Sequence, residues 1–245
     1  MKISLVASSI RPNLWSEFCN SLTGTQVPYE VIFVGDHHMA VPPKNVVPII
    51  SKVKPSQCYE IGFRKATGTL IHWTADDAEY EPGALDKMAE IWKQTRNPKA
   101  ILAFRTIEDG KDCTPWHHLI GGRKETPVMA PFGVMDAQFL KDLGGYDRRY
   151  ICGQSENDLV MRALYEGAQV IQTPIKVYVE HSRKHGGGKS VFRAGPNGNY
   201  SHDRKILEAS WLLGEIVSPV RLDAFEPFFD EGIMDISQSY KGKWE

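Results

Sequence analysis

The residue types best suited to chemistry gather in one stretch, GTLIHWTADDAEYEPGALDKM, from Gly68 to Met88. An apolar run, Leu70 to Trp73, meets the adjacent acids Asp76 and Asp77, and Glu79 and Glu81 follow before Pro82 opens a helix. Neighbouring carboxylates repel, and burying them without partners costs several kcal/mol. Either a cation meets them at the end of a buried strand, or they form a solvated turn or helix cap. A second acidic group, Glu156 and Asp158, falls in the first turn of SENDLVMRALYEGA, where a helix N-terminus favours negative charge. Ser155 followed three residues later by Asp158 reads as a loose capping box. A third stretch, SRKHGGGKSVFRAGPNGNY, is rich in glycine and carries the cations Lys184, His185, Lys189 and Arg193. His181 and His185 have i, i+4 spacing but lack the glutamate of HExxH, which argues against a zinc protease.

Alternating strands and helices must position these groups. ISLVAS (3–8) and YEVIFVGD (29–36) read as buried strands, with the stripe Leu14, Phe18 and Leu22 between them as a helix. That strand–helix–strand unit favours a parallel pair with a right-handed crossover. VVPIIS is a short third strand. PSQCYEIGFRKATG is a helix with Gly68 placed to stop it, and TLIHWT a central strand. PGALDKMAEIWKQ carries Leu85, Met88, Ala89 and Trp92 on one helical face. AILAFR and PVMAPFGVM continue the sheet, residues 106–127 form a loop, and QVIQTPIKVYVEH is one or two strands broken at Pro174. A last helix is expected at DRKILEASWLLGEI. The pattern predicts an α/β sheet with helices on both faces, whose ligands sit at the carboxyl ends of the strands. Ser8, Ser9 and Arg11, then Asp36, then Asp76–Asp77 all fall at that edge.

The same order of segments resembles the family 2 glycosyltransferases of the GT-A fold: the opening strand, EVIFVGD, ATGTLIHWTADDAEYEPGALDKM, GGYDRRYICGQSENDLVMRALYEGAQV and the late VYVEH. The resemblance runs from Lys2 to about His181 and implies a mixed, mostly parallel central sheet. It places the family's DxD motif on Ala75-Asp76-Asp77, with alanine where the first acid is expected, and makes Asp77 and His181 the metal ligands. It makes Glu156 the catalytic base and Asp158 a supporting acid. Asp36 falls where an acid contacts the nucleotide. QCYEIGF departs from the family, in which an Arg-Asn pair is frequent. The implied reaction is inverting transfer of one sugar from a nucleotide-diphosphate sugar, most commonly UDP-linked, to a hydroxyl acceptor such as a glycan or lipid-linked sugar.

Physical chemistry bears on each assignment. Mg²⁺ or Mn²⁺ binds diphosphates with only one or two protein carboxylates, and a histidine ligand tilts the choice to Mn²⁺. Ser8, Ser9, Arg11, Asp36 and Asp76 are then donor-binding residues. Lys184, His185, Lys189 and Arg193 are suited to closing over the diphosphate as a lid, or they belong to a plain flexible linker. Trp116 in the middle loop either stacks on an acceptor sugar or covers the edge of the core. Two other classes compete: a nucleotidyltransferase, disfavoured because SSIRPN is a poor phosphate loop, and a non-catalytic nucleotide-sugar or glycan-binding module.

The 245 residues carry a formal net charge of -1, against general nucleic-acid or membrane-surface binding. No segment approaches the ~20 apolar residues of a membrane span, and there is no QxxRW motif of processive synthases. Four dispersed cysteines suit a reducing, cytoplasmic setting. The expected organisation is a catalytic domain over 1–200 with a C-terminal helix and tail, 201–245, packed on it.

Overall fold

The computed structural model describes residues 1–36, 39–118, 127–180, 199–211 and 225. Among them nine strands form one sheet, ordered β3-β2-β1-β4-β8-β6-β9-β5 with β7 (Lys111–Asp112) paired to β6. The parallel half comprises β1 (Ile3–Ser8), β2 (Tyr29–Gly35), β3 (Val46–Ile50) and β4 (Leu70–Trp73). Its register sets Val6 beside both Ile32 and Trp73, so these strands end together at one edge. β8 (Gly133–Asp136) runs antiparallel to β4 and β6 (Ala100–Glu108), and β6 is parallel to β9 (Gln169–Val179).

Helices cover both faces, as the sequence predicts. On one side Trp15 and Phe18 of α1 (Trp15–Ser21) and Leu85, Met88 and Ala89 of α3 (Ala84–Thr95) share a core with Phe33, Phe104 and Val177. On the other, Cys58 and Phe63 of α2 (Pro55–Lys65), Leu140 of α4 (Ala137–Asp142) and Leu159 to Met161 of α5 (Ser155–Tyr165) surround Val6, Ile32 and Trp73. Leu207 of α6 (Asn199–Ser210) and Trp211 lie in that same core. No described helix is long and apolar enough to cross a membrane.

The structure refines the local reading in four places. β9 is one strand despite Pro174, because its register against β6 shifts between Ala103 and Arg105. The Thr173 hydroxyl and Gln172 amide donate to the Ala103 carbonyl, at 2.9 and 3.1 Å, and replace the ladder bonds that a proline and bulge interrupt. Glu79 lies in a short edge strand the sequence did not reveal, β5 (Ala78–Tyr80), paired to β9 through Ala78 and Val179, and Glu81 follows just beyond it. Gly68 does not stop α2, which ends at Lys65. A Cβ there would lie 2.6 Å from the Ser4 hydroxyl oxygen, so glycine permits close passage of the chain beside β1. Ser155 is not the cap of α5. Gln154 precedes the helix with φ of 64°, and the Ser155 hydroxyl instead meets that of Ser56 at 3.2 Å.

Candidate active site

Ser9 and Arg11 leave β1 at the edge where β2 and β4 end. Gly35 makes their approach possible: a Cβ at that position would lie 1.7 Å from the Ser9 carbonyl oxygen. Across the edge, β4 delivers Asp76 and Asp77, with side chains only 1% and 2% exposed. The cation that such buried acids demand is Arg11. Its guanidinium pairs with Asp76 and reaches Asp77 at 3.2 Å. Asp76 also accepts from the Ser9 hydroxyl at 2.8 Å and from the Arg11 backbone N–H at 3.2 Å. The Trp15 indole N–H donates to Ser9 at 2.7 Å and fixes that hydroxyl in turn.

Beneath the acids, β4 is set by a buried polar chain. His72 Nδ1 lies 2.8 Å from the Gly133 carbonyl, which can only accept, so this nitrogen carries the hydrogen. Its Nε2 therefore accepts from the Tyr80 hydroxyl at 2.7 Å, and Tyr80 in turn meets the Thr74 hydroxyl. Burial holds the His72 pKa down at about 4, against the pull of the Gly133 carbonyl, so the ring is neutral. The network fastens Thr74 from below, and the Tyr59 hydroxyl donates to its carbonyl from α2.

The second acidic centre is Glu156, half-buried at the second position of α5. Helix position alone predicts an ionised carboxylate. Burial instead pushes its pKa up to about 7, with the Asp203 charge acting the same way and backbone N–H groups at the helix head opposing. Tyr59 joins the two centres: its phenol, pushed up by burial, lies in the fields of Glu156, Asp76 and Asp77 together. Sequence reading gave Tyr59 no place in the site. Its place in QCYE, where the family pattern breaks, was the available signal.

The loop before α5 is held from two sides. Gln57 of α2 donates to the carbonyls of Arg148 and Tyr150, at 3.1 and 2.8 Å, and the Ser56 N–H to that of Ile151 at 3.0 Å. Asp158 faces inward. One oxygen accepts from Arg162 at 2.9 Å and the other from the Trp211 indole at 2.9 Å. Arg162 passes on to the Leu143 and Gly145 carbonyls and lies 3.9 Å from the centre of the Phe225 ring. Asp158 is thus braced within the protein.

Ser8 is half-buried at the end of β1, and Asp36 is exposed just beyond Gly35. Trp116 is 66% exposed, next to residues that line a groove of about 410 Å³ with Arg105 and His118. His181, Lys184, His185, Lys189 and Arg193 lie outside the described residues. Among the described residues no group of three or more His, Cys, Asp or Glu could hold a metal ion. The Asp76 and Asp77 carboxyl groups share the Arg11 guanidinium between them. A divalent cation bound chiefly through a ligand's phosphates needs only one or two protein carboxylates. Asp76 is engaged by Ser9 and by both the backbone and the guanidinium of Arg11, and Asp77 by the same guanidinium.

No protein-family model matches the chain, and no curated protein does. Solved structures do. TarS 1–349 of S. aureus in complex with UDP-GlcNAc superposes with a TM-score of 0.57 at 14% identity, over 79% of this chain and 63% of that one. A mannosyltransferase from Pyrobaculum calidifontis, in complex with GDP-Man and Mn²⁺, gives 0.57 at 14% identity, over 84% of this chain and 64% of that one. The fold is therefore that of the GT-A-type glycosyltransferases. The chain spans 60% of the length of TarS 1–349 in the structure without nucleotide.

Proposed function

We propose that this protein is a glycosyltransferase that moves one sugar from a nucleotide-diphosphate sugar to a hydroxyl acceptor, with inversion at the anomeric carbon. One observation carries the reading: a carboxyl group with pKa about 7, Glu156, shares the Tyr59 environment with the buried Asp76–Asp77 pair at the ligand edge of the sheet. A general base works best when its pKa lies near the working pH. Glu156 takes the proton of the acceptor hydroxyl as that oxygen attacks the anomeric carbon from the face opposite the leaving diphosphate. Arg11, fixed by Asp76, presents positive charge where the diphosphate departs and stabilises charge that develops there. Ser8, Ser9 and Asp36 lie along the same edge, where the nucleotide is held.

Asp77 would hold a Mn²⁺ or Mg²⁺ ion, with His181 as a second ligand, and the ion would neutralise the leaving diphosphate. The relatives' complexes with UDP-GlcNAc and with GDP-Man and Mn²⁺ support a nucleotide-sugar donor and a divalent cation. The test is a thermal-shift screen of UDP- and GDP-sugars with and without Mn²⁺, followed by turnover of the stabilising donor. Specific binding raises the melting temperature by mass action. Stabilisation by a nucleoside triphosphate with pyrophosphate release would replace this reading with nucleotidyl transfer, and donor binding without hydrolysis or transfer with a binding module.

A further inference from the structure

Asp203 is fully buried on α6, a helix that contributes nothing to the sheet edge carrying the acid pair. Its carboxylate accepts from three successive backbone amides: Ile151 N–H at 2.9 Å, Cys152 N–H at 2.7 Å and Gly153 N–H at 2.9 Å. These amides form the loop that turns, through left-handed Gln154, into the helix bearing Glu156. A run of such N–H groups around an anion is a nest, and here a side chain of the protein itself fills it. One helical stretch on, the Trp211 indole donates to Asp158 at 2.9 Å on the inward side of α5. The C-terminal helix therefore grips both the loop and the first turn of α5 at two separate points.

We propose that Asp203 is a positioning residue for the Glu156 base: by gathering the amides of 151–153 it fixes where and in which direction α5 begins. The proposal rests on the reading of Glu156 as the base. Asp203 touches neither donor nor acceptor and acts through the backbone. It also faces the Glu156 carboxyl electrostatically, along with Tyr59 of α2, Tyr146 and Cys152. Removing its charge therefore alters the base in a way that simple loosening of the fold does not.

The test is Asp203→Asn in the full chain, read without a substrate by carbon-13 NMR titration of Glu156 and by amide hydrogen exchange. The variant is expected to titrate Glu156 lower by about half a pH unit or more. Exchange at residues 151–156 is expected to rise about tenfold, with unfolding still cooperative. Mn²⁺–UDP affinity should stay within about twofold of wild type, because the acid pair is untouched, and transfer should slow about 10- to 100-fold. An unmoved Glu156 titration with unchanged exchange at 151–156 overturns the proposal. Should D203N fail to fold, Asp203→Glu keeps the charge but displaces the carboxylate from the 151–153 amides and should raise exchange at 151–156. It must slow transfer at unchanged Mn²⁺–UDP affinity, or the proposal fails. Glu156→Gln separates the two ideas: a fully active E156Q removes the base assignment, whereas an inactive E156Q beside an unaltered D203N removes this inference alone.

Discussion

Replacing Glu156 by glutamine should abolish transfer and yet stabilise the protein, by an amount that grows from pH 4.5 and is complete above about pH 7. Burial raises the Glu156 pKa from the ordinary 4.5 to about 7, so the folded chain holds this proton more tightly than the unfolded chain does. The sign follows from linkage. The contribution of the group is fully present below pH 4.5, shrinks between 4.5 and about 7, and is gone above that, where the buried carboxylate must be ionised. At about 1.4 kcal/mol per pH unit, the penalty at pH 8 is about 3 kcal/mol at most. Glutamine has nearly the same shape and never ionises, so it escapes this penalty. For a chain of this size that is a melting-temperature gain of roughly 5–10 °C at pH 8 and none at pH 4. Glu60 also titrates near 7 through burial, which makes wild-type stability alone ambiguous. Subtracting the E156Q curve from the wild-type curve at each pH cancels Glu60. Differential scanning fluorimetry from pH 4 to 8.5 gives the curves directly. An E156Q that is equally or less stable than wild type at pH 8 would refute the burial argument, and with it the tuned base.

Three further outcomes follow from the same geometry. The rate of transfer at saturating donor should rise with pH through a single ionisation near 7 and then level, as a base that must lose its proton requires, and a flat profile from pH 5 to 8 excludes Glu156. Arg11→Met leaves Asp76 and Asp77 buried without their cation and should cost about 2–4 kcal/mol in urea unfolding, with Mn²⁺ restoring much of the loss. Equal Mn²⁺ stabilisation of wild type and R11M would show that Arg11 and the ion do not share the site. Gly133→Ala places a Cβ 2.1 Å from the Trp73 ring and should cost about 2 kcal/mol or more, seen as a lower urea midpoint with unchanged slope.

The strands of the parallel half were readable because their apolar runs are β-branched and end at polar residues that share an edge. Helices α2, α3 and α5 showed themselves by periodicity. β5 was hidden because three residues among four acids carry no alternation long enough to register, and its partner in β9 lies about a hundred residues away. Arg11 could be placed at the right edge from local order alone, but not assigned to Asp76 and Asp77, since an ion pair 65 residues apart depends on how strands stack. The ionisation of Glu156 was misjudged for a related reason. Helix position is a local property, whereas burial under Tyr59 and Tyr146 and the neighbouring Asp203 charge arise from tertiary packing. Asp203 itself is one of two acids in a polar helix, with Glu208, and gives no sequence signal of the three amides it serves.

The grip of the C-terminal helix also sets an order of assembly on the ribosome. Strands β1 to β4 and the Arg11-bound acids are complete once the first eighty residues have emerged. The hook on the 151–153 loop must wait for residue 203, and the indole brace for residue 211. The acid pair with its Arg11 partner thus comes within reach well before the contacts that set the start of α5 can form.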